Sequence, residues 1–311
     1  MDRTIGRRDF FRRSAGAGLT LALGKALGAA PAGAAQAKAG TVAVGLGADY
    51  EKAATKAIEL LGGIKQFVPK GSKVALLPNV QSRHPGSFTK PEVLRAVIRL
   101  CKKAGAAEIN CLSWQTAKQW EDTGLKSVIA AEGAGLKIFE KDEALFSPVA
   151  VPGGVVLKEA RILNAFFDHD VFINMPITKD HAGNGFTGTM KNLMGLNSPA
   201  NNRTFHRPNW KTDPGDIAHL DQSIVDLNKA VKPTLNVVDA TEFIVTNGPF
   251  GPGEILKPQK VVAGTDRVAI DAYCARLRPL DPSVVVHIKR GAEQGIGEID
   301  LAKAGIREAK A

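Results

Sequence analysis

The sequence predicts an α/β fold: a mostly parallel sheet flanked by helices, with room for a small subdomain. Three observations lead there. Short, continuous apolar runs stop abruptly at Pro, Asn or Asp, as strands buried on both faces do. Segments with apolar residues at helical spacing fall between those runs. Each such segment is long enough to carry the chain back across a sheet, so neighbouring strands can run parallel.

The elements follow in order. A Gly/Ala/Val-rich stretch over 38–48 leads into a short strand at 41–44. Residues 50–67 place Ala54, Ile58, Leu61 and Ile64 on one helical face. The run 73–77 is a buried strand closed by Pro78 and Asn79. A helix over 91–103 starts at Pro91 and stops before Gly105, the usual positions for both residues. A strand at 108–112 completes a βαβ unit. A helix near 123–132 and a strand at 136–140 continue the alternation. Residues 145–158, around Pro152-Gly153-Gly154, suggest a hairpin, and 161–167 a short helix. The strand 171–175 ends at Pro176. Helical patterns cover 187–196 and 217–230. A strand at 235–239 precedes a Gly/Pro-rich loop at 247–253. The strand 260–263 leads through Gly264-Thr265-Asp266 into a helix reaching about 278, and a last helix spans 282–293. No internal repeat is evident.

Residues 1–37 stand apart from this pattern. Arg3, Arg7, Arg8, Arg12 and Arg13 surround Phe10 and Phe11, and an Ala/Gly/Leu-rich stretch follows over 15–30. That stretch is too short and too rich in Gly for a membrane span, which needs about 20 apolar residues. Ala35-Gln36-Ala37 offers the small residues at which a signal peptidase cuts. Arg7-Arg8-Asp9-Phe10-Phe11 resembles the twin-arginine export motif, with Phe11 where leucine is usual. The resemblance implies a signal over 1–37, passage through the twin-arginine export machinery, and a mature domain over 38–311 in the periplasm without a membrane span.

Charge and cysteine content narrow the possibilities. The chain carries 41 basic and 31 acidic side chains, a net +10. Six of the bases and two of the acids lie in 1–37, which leaves 35 against 29, a net +6, for the rest. Those lysines are dispersed, without the clustered basic face and interleaved aromatics of a nucleic-acid binder. A few lysines lining a cleft for an anionic small molecule suit this balance. Cys101, Cys111 and Cys274 form no CxxC and no iron–sulfur spacing. Cys101 and Cys111 fit core positions, and the sequence leaves any disulfide open.

Ligands of such sheets bind outside the carboxyl ends of the strands. Four strand ends carry polar residues: Asn79, the segment 176–181, Asp239 to Glu242, and Asp266. The richest is Asn174-Met-Pro-Ile-Thr-Lys179-Asp-His181, continued by Ala-Gly-Asn-Gly-Phe-Thr187-Gly-Thr-Met-Lys191-Asn192. A strand ends, a glycine-bearing loop turns, and a helix begins near Thr187. Free N–H groups there, with Lys179 and Lys191, can hold a phosphate or carboxylate. Equally, Thr187 can simply cap a helix while the lysines face water. His181, His206 and His219 bracket the loop and offer a divalent-metal set, though spacings of 25 and 13 residues match no metal motif. Asp266 also reads as a plain N-cap. Asp239, ending an apolar strand, faces the expected cleft.

The pattern of strand, Pro, Lys-x-His, Gly-rich loop and Thr187-Gly-x-x-Lys191-Asn192-Leu-x-Gly195 resembles the family of unknown function DUF362. So do His219 followed by Ile-x-Asp226-Leu-Asn228, and Asn236-Val-Val-Asp239 followed by Asn247-Gly-Pro249 and Gly264-Thr-Asp266-x-Val-Ala-x-Asp271. The resemblance spans about 70–290. It implies no assigned activity, and it marks Lys179, His181, Lys191, Asn192, His219, Asp226, Asp239, Asp266 and Asp271 as signature positions. The iron–sulfur cysteines of some members are missing. The expectation is an exported enzyme, or a cofactor- or metal-binding protein. Asn79, Lys179, Thr187, Lys191, Asn192 and Asp266 would bind the anion; His181 or His219 would act as general acid/base, oriented by Asp239. The alternatives are a non-catalytic periplasmic ligand- or metal-binding protein and a structural component without a small-molecule site.

Overall fold

A computed structural model describes residues 40–139 and 142–311; the segment 1–37, where the export signal is expected, lies outside the described residues. The strands are β1 (Val42–Leu46), β2 (Lys73–Pro78), β3 (Glu108–Ser113), β4 (Gly135–Ile138), β5 (Phe146–Ala150), β6 (Glu159–Leu163), β7 (Val171–Met175), β8 (Leu235–Ala240), β9 (Phe243–Ile244), β10 (Ile255–Leu256), β11 (Lys260–Gly264) and β12 (Ile306–Lys310). The helices are α1 (Tyr50–Glu59), α2 (Pro91–Ala104), α3 (Ala117–Asp122), α4 (Leu125–Ala131), α5 (Thr189–Asn192), α6 (Pro199–His206), α7 (Pro214–Ala230), α8 (Arg267–Leu277), α9 (Val286–Glu293) and α10 (Leu301–Ala304).

Eight strands form one sheet in the order β12-β1-β11-β8-β7-β2-β3-β4. Its pairs are parallel except those of β11 with β1 and β8, so β11 alone opposes its neighbours in this sheet. The chain builds β2, β3 and β4 outward, then returns to lay β7 on the other side of β2. That reversal between β2 and β7 is a topological switch point, where the two crossovers diverge and leave a crevice.

The apolar runs are buried on both faces because side chains alternate along a strand. In β2, Ala75 and Leu77 enter the core layer shared with α7 and α8, whereas Val74 and Leu76 enter the layer under α1 and α2. In β7, Phe172 faces the first layer, and Val171, Ile173 and Met175 face the second. Each fully buried side chain of this kind contributes about 1.5–3 kcal/mol.

Several local expectations change. The hairpin is β5 with β6, so 159–163 is strand, and a 3₁₀ turn follows over Asn164–Asp168. The helical pattern at 187–196 shortens to α5 and one 3₁₀ turn. Helix α6 and edge strand β12 have no counterpart in the sequence reading. Ile-Arg-Glu-Ala-Lys lacks the apolar run of a buried strand because β12 is exposed along most of its length.

Candidate functional site

A cleft of about 140 Å³ opens at the β2–β7 switch point, over the carboxyl ends of β2 and β3. Asn79, Ser113 and Gln115 come from the strand ends, His181 and Thr187 from the loop after β7, Lys191 and Asn192 from α5, and Asn202 and His206 from α6.

The loop after β7 is closed at its base by backbone bonds in both directions between Lys179 and Thr187, at 3.1 and 2.9 Å. Arg278 ties it down from outside, pairing with Asp180 at 2.9 Å and donating to the Gly185 carbonyl. His181 is thereby held at the loop tip, 2% exposed. Its Nδ1 accepts from the N–H groups of Gly183 and Asn184 at 3.3 and 3.4 Å, so the neutral ring carries its proton on Nε2. His206 is the opposite tautomer. Its Nδ1 meets the Asn202 carbonyl at 2.9 Å and must donate, which leaves Nε2 as an acceptor. The two rings lie 6.2 Å apart, and Trp210 packs 4.9 and 5.0 Å from them. Gly183 permits that packing: a Cβ there would stand 2.2 Å from the Trp210 carbonyl oxygen.

Both imidazoles are kept neutral. Burial, then the neighbouring Lys191, lowers His206 to about 4, against the opposing bond to Asn202. Burial followed by Lys191 and His206 holds His181 well below the ordinary histidine value. Burial also brings Lys191 down to about 7, although Asp221 pulls the other way. Its ammonium finds no oxygen partner among the described residues; its one hydrogen-bond contact there is Met194 Sδ at 3.8 Å. Thr187 Oγ1, buried in the same wall, has no hydrogen-bond partner either. A buried amine and hydroxyl left without acceptors are costly unless something else satisfies them.

The start of α5 does not match the expectation of free N–H groups. Asp271 of α8 places its carboxylate there and accepts from Thr189 and Met190 at 2.6 and 3.0 Å. Gly188 is required beneath it, since a Cβ would come within 2.2 Å of Asp271 Oδ1. An external anion is therefore not held by these amides; the protein supplies its own.

Under the cleft runs a chain of amides. Asn79 donates to Asn192 (3.0 Å), Asn192 to Asn174 (2.8 Å), Asn174 to Asn236 (3.0 Å) and Asn236 to the Gly264 carbonyl (3.3 Å). Lys179, fully buried, closes one end by donating to Asn79 Oδ1 and the Ser87 carbonyl, at 3.2 and 2.6 Å. Burial and the nearby Lys191 lower it to about 7 as well. Lys179 thus supports Asn79 and Asn192 from below and does not line the cleft.

Three expected residues lie elsewhere. Asp239 is fully buried and accepts from the N–H of Lys90 at 2.7 Å and from Thr241 Oγ1 at 2.6 Å, joining β8 to the start of α2. Burial raises its pKa above the ordinary carboxylate value. Asp266 sits at the opposite end of the sheet because β11 runs antiparallel, and it caps α8 at Ala269 N and also accepts from Glu298 N. The expectation that four strand ends converge holds for three. His219, half-exposed on α7, lines a separate depression with Arg290 and Gln294. The trio His181, His206 and His219 is therefore not assembled, and no group of three or more His, Cys, Asp or Glu able to hold a metal ion occurs among the described residues. Asp226, another signature position, accepts from the N–H groups of Val155, Val156 and Leu157 and fixes the hairpin. The three cysteines are free and buried.

Sequence reasoning missed Asn202, Trp114, Trp210, Gln81 and Gln115. Ser198-Pro199, whose serine accepts from Asn201 N at 3.1 Å, is the helix-start signal that could have placed Asn202 and His206 on one helix.

Known proteins place the chain. A solved structure, the lactate racemase apoprotein from Thermoanaerobacterium thermosaccharolyticum, superposes with a TM-score of 0.46 at 15% identity. The match covers 81% of this chain but only 56% of that one. A thylakoid-associated protein of Synechocystis sp. is 28% identical over 239 residues, 73% of this chain and 70% of that protein. The model of the family described as Domain of unknown function (DUF362) matches residues 74–276, running from within β2 through β7, the cleft loop and α5 into α8. The chain belongs to the DUF362 family.

Proposed function

We propose that this is an exported, periplasmic protein whose switch-point cleft binds a small anion and performs acid–base chemistry on it. The observation that carries the reading is Lys191: a buried ammonium in the cleft wall with no oxygen partner, beside the unpartnered Thr187 hydroxyl. A carboxylate or phosphate seated there satisfies both groups and draws Lys191 into its charged form. The two imidazoles supply a complementary pair: His206 Nε2 is placed to accept a proton, and the neutral His181 Nε2–H to donate a hydrogen bond to the charge that develops. Export is supported by Arg7-Arg8-Asp9-Phe10-Phe11 and by the thylakoid association of the Synechocystis relative. A metal is not part of this reading, because among the described residues no third His, Cys, Asp or Glu joins His181 and His206 to complete a site.

The test is made on protein recovered from the periplasm, whose N-terminus should begin at Lys38. Calorimetric titration with inorganic phosphate and with acetate should show binding by the native protein. In Lys191→Met the affinity should drop at least tenfold while the far-UV spectrum stays unchanged. Equal affinities in the two proteins would rule out Lys191 as the anion contact.

A further inference from the structure

The cleft does not end at its polar wall. Past His181 and His206 it widens into an outer chamber of about 570 Å³, where Trp210 and Phe250 join Trp114, Gln81 and Asn202 in the wall. Phe250 is 49% exposed at the chamber's edge. It is not loosely held. Ser82 Oγ donates to its carbonyl at 2.5 Å, and Gly248, two residues earlier, donates to Asp180 at 2.8 Å and accepts from Ala182 N at 3.1 Å. The loop that carries the ring is thus pinned to the same segment that carries His181. Trp210 reaches from the outer chamber to within 5.0 Å of both imidazoles, so the apolar wall and the polar pocket are continuous. Arg203 sits at the rim without an ion-pair partner among the described residues, whereas Arg207 beside it pairs with Asp216 at 3.7 Å.

We infer that the ligand is an anion with a planar aromatic body: its carboxylate or phosphate meets Lys191 and Thr187, and its ring lies in the outer chamber against Trp210 and Phe250. The inference rests on the inner cleft being an anion site. An inner space of about 140 Å³ fits a head group, and the larger outer space fits a ring system. Rigid aromatic walls favour a flat, polarisable body through offset and edge-on ring contacts. Arg203 and Arg207 at the rim disfavour a cationic one.

The experiment follows tryptophan fluorescence while the mature protein is titrated with acetate, inorganic phosphate, phenylacetate and phenyl phosphate. At least one aryl compound should bind ten or more times as tightly as its simple counterpart, and the preferred pair identifies the head group. Phe250→Ser should shrink that aryl-to-simple ratio at least threefold, and Lys191→Met should weaken both members of the pair. Equal affinity of aryl and simple anions, with Lys191 still required, overturns the aromatic body and leaves the anion site standing. Failure of all four to bind the native protein removes the anion site, and the aromatic body with it.

Discussion

The floor of the cleft and its wall come from the same stretch of chain, yet their polar groups are satisfied to opposite degrees. Lys179 and Lys191 make the comparison sharp. Both are buried and both are lowered to about 7, but Lys179 donates to two oxygens and Lys191 to none. The same split separates Asp271, Asp226 and Asp239, each accepting at least two bonds, from the Thr187 hydroxyl, which has no partner among the described residues. Most positions marked by the family resemblance therefore hold the fold, and the proposed site rests on the few left without partners. A signature position is not a site position until its hydrogen bonds have been counted.

The largest expected effect lies in the floor. Asp271→Ala leaves the buried N–H groups of Thr189 and Met190 without an acceptor and should cost about 3 kcal/mol or more in urea unfolding. A loss of ligand affinity with stability intact would instead move Asp271 into the wall.

The lysines give an intermediate effect with a definite sign. Because the folded state holds both below their ordinary value of 10.5, the unfolded chain binds more protons from pH 7 upward, and stability rises with pH. The slope reaches at most about 1.4 kcal/mol per pH unit for each lysine. The useful window runs from pH 7 to about 8.5; above it the buried cysteines, held protonated by burial, act in the opposite sense. Lys191→Met should flatten its share of that slope and lose no stability at pH 7. Lys179→Met should lose about 1–3 kcal/mol by stranding the Ser87 carbonyl. A stability profile that is flat across this window in the native protein would show that neither amine is desolvated.

The smallest effect belongs to His219. Outside the cleft and half-exposed, His219→Ala should change stability by less than about 1 kcal/mol and leave phosphate affinity alone. Lost binding in this variant would enlarge the wall to include α7.

How far the sequence could be read follows from the same physics. Strands β2, β3, β7 and β8 were legible because burial on two faces demands continuous apolar runs, and α2 because Pro91 and Gly105 bound it. The direction of β11 was not, since nothing in Lys-Val-Val-Ala-Gly distinguishes a strand running up from one running down. That one unreadable bit carried Asp266 to the wrong end of the sheet. Asn79, His181, Thr187, Lys191 and Asn192 are legible because they crowd into the loops at strand ends and the short helix that follows one of them, and the structure gathers them around one cleft with His206. Asp239 sat at a strand end too, but its partner Lys90 lies 149 residues away, and no local pattern reveals such a bond.

The amide chain beneath the cleft has a further consequence, for how the strands find their alignment. Because β7 and β8 are buried on both faces, their apolar pattern by itself sets register only weakly, and a slip would still leave apolar side chains inside. Asn174 and Asn236 are direct cross-strand partners, Leu77 faces Asn174, and Gly264 faces Asn236. A two-residue slip of β7 or β8 would keep the oil buried yet strand several amides in it, each at about 1–3 kcal/mol. The asparagines thus act as alignment marks, forbidding the misfolded pairings that the apolar pattern alone would allow.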